Sequence, residues 1–262
     1  MAFKQAGDEA RGVRLAFDSG GSGGGELVVL LHGLGATAGV WTPLTARLHA
    51  RWVAIDLPGH GGSDPLGGYD LDDYAAELVP LIVKLAAGAP VALVGHSLGG
   101  SVALSIAGLG GGRWTPAAAL ALGVKIDWND AELDRFAALA VRPPRHFITR
   151  EEALAQHRRM CGLGDVDLDS PLLARGVREE DGDWRVAMDS RAFAVQPPPV
   201  ERMVAEAHCP VHLACGVNDP MVGLARLRQF DSGSVAFPGA GHNAMVDAPD
   251  AIAGWLADAK RR

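Results

Sequence analysis

Val91-Ala92-Leu93-Val94-Gly95-His96-Ser97-Leu98-Gly99-Gly100-Ser101 is the stretch from which the fold can be read. Four apolar residues run without alternation, which suits a strand buried on both faces. A serine follows, with a glycine two residues to either side, and a run of small residues of helical composition begins directly after it. A strand that turns straight into a helix at a serine puts that hydroxyl on a sharp, strained corner, and only small residues two before and two after it avoid a clash. The bare pattern is cheap in a chain with 34 glycines among 262 residues, and Gly20-Gly21-Ser22-Gly23-Gly24 fits it too. Ser22 lacks the strand before and the helix after, so Ser97 is the expected nucleophile.

Similar apolar runs lie at residues 27–31, 52–55, 118–124, 211–215 and 234–237. Helical patterns separate them. Asp70 stands as an N-cap before Leu71, Tyr74, Ala75, Leu78, Ile82 and Leu85, a stripe of period 3.6. Pro80 falls off that stripe and reads as a solvent-side kink, despite a cost of roughly 3 kcal/mol for an interior proline. Residues 98–108 and 248–260 are further helices. Strands alternating with helices predict an α/β fold with a mostly parallel central sheet flanked by helices. Residues 13–18 add a weakly alternating strand, and the glycine tract at 20–25 reads as a flexible hairpin loop.

The rhythm breaks after Asp127 and resumes near Pro210. Asn129-Asp130-Ala131-Glu132 and Thr149-Arg150-Glu151-Glu152 are capping boxes that start two helices, and the second is expected to stop at Gly162. The expected division is a core of residues 1–127 and 201–262 with a helical cap insertion at 128–200. An insertion there would sit over the strand ends, where open α/β sheets place ligands.

Composition narrows the function classes. A formal net charge of −7 argues against a general nucleic-acid binder. No apolar run approaches a membrane span in length. The first dozen residues lack the basic-then-apolar order of a signal peptide. Three cysteines, Cys161, Cys209 and Cys215, are odd in number and have no metal-type spacing. The expectation is a cytoplasmic protein with reduced, packed thiols and no metal or cofactor.

A serine nucleophile needs a base, and the base needs an orienting acid. On this kind of sheet the chain order is serine, acid, histidine. His242, in Gly239-Ala240-Gly241-His242-Asn243 after the last apolar run, is the expected base. Asp219, in Gly216-Val217-Asn218-Asp219-Pro220 beyond the preceding strand, is the expected acid. It would otherwise be a turn aspartate capping a helix, and Asp127 is the reserve. The developing oxyanion needs backbone donors. Leu98 N–H follows the nucleophile, and Leu34 N–H lies in His32-Gly33-Leu34-Gly35 after residues 27–31.

These residues together resemble the α/β-hydrolase superfamily. His32-Gly33-Leu34-Gly35 is similar to its oxyanion loop, and Asp56-Leu57-Pro58-Gly59-His60-Gly61-Gly62-Ser63-Asp64 to its D-x-P-G-x-G-x-S segment. Within the superfamily, dehalogenases and epoxide hydrolases carry an aspartate nucleophile where Ser97 stands. Carbon–carbon hydrolases place a tryptophan where Asn243 stands, and proline iminopeptidases show G-G-S-W-G-G. What remains resembles capped carboxylesterases and lactonases. The resemblance implies a Ser97-His242-Asp219 triad acting through an acyl-enzyme on a small-molecule ester or lactone. Perhydrolysis, acyl transfer and carbon–carbon hydrolysis on the same triad are the alternatives, and a non-catalytic ligand receptor is a remote one. In the cap, Trp128, Phe136, Leu139, Phe147, Met160, Trp184, Met188 and Phe193 either pack the cap or line an apolar pocket. Arg142, Arg145, Arg150, Arg158 and Arg159 either recruit an acidic substrate or form a solvated face balanced by Glu151 and Glu152. The oligomeric state is not legible.

Overall fold

The computed structural model describes residues 2–7, 12–109 and 114–259. Eight strands form one sheet in the order β1-β2-β4-β3-β5-β6-β10-β11. They are β1 (Ala2–Gly7), β2 (Arg14–Gly20), β3 (Gly23–Leu31), β4 (Ala50–Ile55), β5 (Val91–His96), β6 (Ala118–Leu122), β10 (Val211–Gly216) and β11 (Val235–Phe237). From β4 to β11 every neighbouring pair is parallel; β1 and β2 are antiparallel additions at one edge. In register, Leu27 faces Val91 and Val94 faces Leu120.

The unbroken apolar runs have a simple cause. Alternate residues of one strand feed opposite faces, and both faces are covered. Val28 and Leu30 point into a cluster with Trp41, Val94 and the helix Pro249–Ala259, through Ile252 and Leu256. Leu27, Val29 and Leu31 point into the other, with Tyr74, Leu78 and Ile82 of the helix Leu71–Ala86 and Val102 of the helix Leu98–Gly108. In the former helix the Asp73 carboxylate accepts from Asp70 N–H at 3.0 Å, and Pro80 is exposed, as its place off the stripe requires.

Two expectations need correction. The glycine tract is not a flexible loop. Gly20 ends β2 and Gly23 opens β3, opposite Ala50, with a bulge before Leu27. Gly21, at φ +74°, lies so close to β4 that a Cβ there would sit 1.9 Å from the Ala50 carbonyl oxygen. Gly21 and Gly23 are therefore required by close backbone approach, while Gly24 and Gly25 have open space and Gly25 lies at φ +99°. Residues 2–7, which drew no secondary-structure expectation, form a strand.

The segment between β6 and β10 is also not purely helical. Both capping boxes form as expected. Asn129 Oδ1 accepts from Glu132 N–H at 3.0 Å, and Thr149 Oγ1 accepts from Glu152 N–H at 3.2 Å. They open the helices Asp130–Ala140 and Arg150–Met160, and Gly162 follows the latter at φ +64°. Between these helices and beyond them, β7 (His146–Phe147), β8 (Val177–Glu180) and β9 (Asp183–Val186) form a three-stranded antiparallel sheet in the order β7-β9-β8. Asp181 and Gly182 turn β8 into β9, at φ +53° and +88°. Positive φ at both central residues matches the twist of a two-residue hairpin, and Asp-Gly is its strongest sequence signal.

Polar contacts fasten this segment to the core. Arg175 donates to Asp56 at 2.7 Å and to both carboxylate oxygens of Asp18 at 3.0 and 3.1 Å. Asp56 is fully buried and also accepts from Ala38 N–H and Gly62 N–H. Gly61 N–H donates to Ala187 and Asp189 N–H to Gly59, which zips the segment to the loop after β4. His157 is buried against Gly176, where a Cβ would meet its ring at 2.0 Å. Burial brings the His157 pKa down to about 4.

Two outcomes follow for stability. Arg175→Gln leaves buried carboxylates without their cation, and is expected to cost about 3–5 kcal/mol in urea unfolding. Loss of less than about 1 kcal/mol would refute the anchoring role. A histidine held neutral in the fold and titrating near 6.5 when unfolded stabilises fully above pH 6.5. That contribution is lost as pH falls from 6.5 to about 4, a change of order 3 kcal/mol for His157. The urea midpoint should fall across that window, and fall less steeply in His157→Phe; a flat profile would contradict the assignment.

Candidate active site

Ser97 follows β5 directly and is the N-cap residue of the helix Leu98–Gly108, at φ +51° and ψ −115°, a strained conformation for a residue with a side chain. Two contacts explain why glycines flank it. A Cβ on Gly95 would lie 2.0 Å from the Gly99 carbonyl oxygen, and one on Gly99 would lie 2.2 Å from that of Leu31. The corner is pinned by Ser97 N–H donating to Leu122 of β6 at 2.8 Å.

Asp219 lies on the loop beyond β10, with its side chain fully buried, and its Oδ2 is 2.9 Å from His242 Nδ1. Its other oxygen accepts from Met221 N–H at 2.8 Å and closes a turn; the helix weighed near Pro220 does not form there, since the next helix is Leu224–Leu227 with Gly223 at its N-cap. His242 sits on the loop beyond β11, where Gly241 N–H donates to Asp247 at 2.8 Å. The reserve acid Asp127 lies apart, exposed and paired with Arg226 at 3.0 Å.

The loop after β3 reaches the serine corner from the other side. A Cβ on Gly33 would lie 2.9 Å from His96 Nδ1 and 3.3 Å from Ser97 Cβ. His32 braces this loop, with Nδ1 donating to Gly33 and Nε2 accepting from Leu57 N–H, both at 2.8 Å. Burial pushes His32 well below its ordinary pKa, which suits a neutral ring in both roles. The N–H groups of Leu34 and Leu98 have no acceptor among the described residues.

A cavity of about 1320 Å³ opens over these groups, lined by Leu34, Ser97, Leu98 and His242. The segment between β6 and β10 supplies its far wall. Trp128, Phe136 and Phe193 stack edge to face, with ring centroids 5.2 and 5.5 Å apart, and Leu139, Phe147, Met160 and Met188 also line it. Trp184 lies outside the lining, near Arg150. Of the five arginines singled out, Arg142, Arg145 and Arg159 reach the cavity; Arg158 instead donates to Val166. Cys161 lines it too, but burial raises its thiol pKa to about 12, so it stays protonated. Among the described residues, no group of three His, Cys, Asp or Glu side chains is spaced to hold a metal ion. No helix among them is long and apolar enough to cross a membrane.

Two residues have roles that the sequence did not disclose. Asn243 donates to the carbonyls of Cys161 and Gly162 at 2.9 and 3.1 Å, which ties the His242 loop to the end of the helix Arg150–Met160. His96 donates from Nε2 to the His242 carbonyl at 2.9 Å, with the two rings 4.6 Å apart. Burial, with the nearby His242, holds His96 well below its usual pKa, so it adds no charge beside that ring. Position alone, directly before the serine, was the only signal for His96.

Comparison with known proteins agrees with this architecture. The family model described as "Alpha/beta hydrolase family" matches residues 28–255. A 2-(acetamidomethylene)succinate hydrolase from Mesorhizobium japonicum is 45% identical over 80 residues, which cover 29% of this chain and 28% of that protein. The chain thus aligns with well under two thirds of that relative. A pimeloyl-[acyl-carrier protein] methyl ester esterase from Pectobacterium carotovorum subsp. carotovorum is 29% identical, covering 91% of this chain and 95% of the relative. Among solved structures, an E-2-(acetamidomethylene)succinate hydrolase superposes with a TM-score of 0.81 at 24% identity, over the whole of both chains. An eight-stranded, mostly parallel sheet, a serine on a strained corner and a family match across most of the chain lead to one conclusion: this protein belongs to the alpha/beta hydrolase family.

Proposed function

We propose that the protein is a serine hydrolase that cleaves a carboxylic ester or lactone through a Ser97-His242-Asp219 triad. The observation that carries the reading is the 2.9 Å pair between the buried Asp219 carboxylate and His242 Nδ1, beside the cavity that Ser97 opens into. The carboxylate fixes the proton on Nδ1 and leaves Nε2 as the basic nitrogen. His242 then takes the Ser97 hydroxyl proton as the oxygen attacks the carbonyl. The N–H groups of Leu34 and Leu98 receive the oxyanion, each worth on the order of 10² to 10³ in rate. Collapse passes the proton from His242 to the leaving alcohol and leaves an acyl-Ser97 ester. A water activated by His242 releases the acid and regenerates the serine.

Residues 128–200 act as the cap in this reading. Their apolar wall would hold the acyl or alcohol part, and the chemistry needs neither metal nor cofactor. The esterase relative along nearly the full length supports the ester assignment. His96 is a positioning residue, since it holds the backbone of His242 and not the substrate.

The test is covalent and kinetic. A fluorophosphonate probe should label Ser97 by mass, and Ser97→Ala should lose both the label and hydrolysis of short p-nitrophenyl esters. Asp219→Asn keeps the shape but misplaces the proton, and should lower kcat by about 10³ to 10⁴ with little change in KM. Equal turnover by wild type and Ser97→Ala would remove the proposal.

A further inference from the structure

Four arginines line the cavity that contains Ser97: Arg135, Arg142, Arg145 and Arg159. None of them has a carboxylate partner among the described residues. Elsewhere in the chain, Arg14, Arg47, Arg191 and Arg226 each hold an aspartate. The carboxylates in the lining do not balance the four. Glu132 is held by Lys125 at 2.8 Å, and Asp247 accepts from the neutral Gly241 N–H, so Asp165 and Asp247 are two carboxylates against four guanidinium groups. In a chain of net charge −7, this is a local surplus of positive charge at one opening.

Two of the guanidinium groups are also held in place. Arg145 lies over the Phe147 ring at 4.8 Å, a stacking that occupies its face and leaves the N–H edge free for a planar anion. Arg159 is oriented by a bond to Gln156 at 2.7 Å. The cavity, about 1320 Å³, exceeds the usual range of roughly 300–1,000 Å³ for small-molecule sites. One substrate can therefore reach the serine with its ester and the arginines with its other end.

We propose that Arg135, Arg142, Arg145 and Arg159 form an anion subsite, and that the substrate is an ester carrying a carboxylate or phosphate remote from the scissile carbonyl. The substrate class rests on the hydrolase reading above; the subsite itself does not.

The experiment compares methyl half-esters of adipic and suberic acids with the matching ω-carboxamides, and with ω-phosphate esters of the same length. Wild type should prefer the charged member by about tenfold or more in kcat/KM, through KM, and less so as salt rises. The arm with the larger preference identifies carboxylate or phosphate as the natural group. In Arg142→Gln/Arg145→Gln and Arg135→Gln/Arg159→Gln, the charged-to-neutral ratio should fall toward one. Equal rates for charged and neutral esters in wild type, or a ratio unmoved in both double variants, would overturn the subsite. If no ester is turned over and the fluorophosphonate leaves Ser97 unlabelled, the hydrolase reading fails by itself. Calorimetry with adipate, suberate and inorganic phosphate on Ser97→Ala then decides the subsite. Salt-sensitive binding lost in the arginine variants supports it, and no binding of any of the three overturns it.

Discussion

Everything in this molecule is arranged around a backbone contact with no room for a side chain. At the end of β5 the chain reverses into a helix so tightly that Gly95 and Gly99 touch, and Gly99 in turn touches Leu31 of the next strand. That closeness forces Ser97 to φ +51° and lifts its side chain out of the sheet. The strain is held because β5 is a central strand, paired on both sides by β3 and β6 and buried above and below. A strained residue persists only where its surroundings overdetermine it. Here the surroundings are two apolar clusters and a parallel ladder. The loops that follow β3, β10 and β11 then converge on the same end of the sheet, bringing Leu34, Asp219 and His242 to the serine's side.

How far the sequence discloses this depends on the range of the interaction. The strands were legible because burial on both faces removes polar residues from them, and that mark is local. The capping boxes at Asn129 and Thr149 were legible for the same reason: cap and capped group lie three residues apart. The expected site residues sit on strand-end loops, where periodicity stops abruptly and small or polar residues begin. What escaped notice was either short or distant. β7 has two residues and β8 and β9 four each, too few for alternation to speak; Asp181-Gly182 was the one available sign. Arg175 reaches Asp18 and Asp56 across 157 and 119 positions, and no composition or spacing marks such a pair. The glycine tract misled because glycine is required both where a chain is loose and where two chains press together.

The buried histidines follow one rule with separate uses. His32 braces the loop after β3, His96 holds the carbonyl of His242, and His157 packs beneath the arm that carries Arg175. Each is neutral because water is excluded around it, and a neutral imidazole can donate from one nitrogen and accept at the other. The uncharged state matters most for His96. A charged ring 4.6 Å from His242 would oppose any positive charge forming there.

The Asn243 side chain has a consequence for the backbone. Its amide joins the residue beside His242 to two carbonyls at the end of the helix Arg150–Met160. The part of the chain that shapes the cavity and the loop that carries the imidazole are thereby mechanically joined. Replacing the segment between β6 and β10 would change the cavity wall, and would also unseat the loop unless the acceptor carbonyls arrived in the same place. The constraint falls on backbone position at Cys161 and Gly162, whose carbonyls are the acceptors, and not on their side chains.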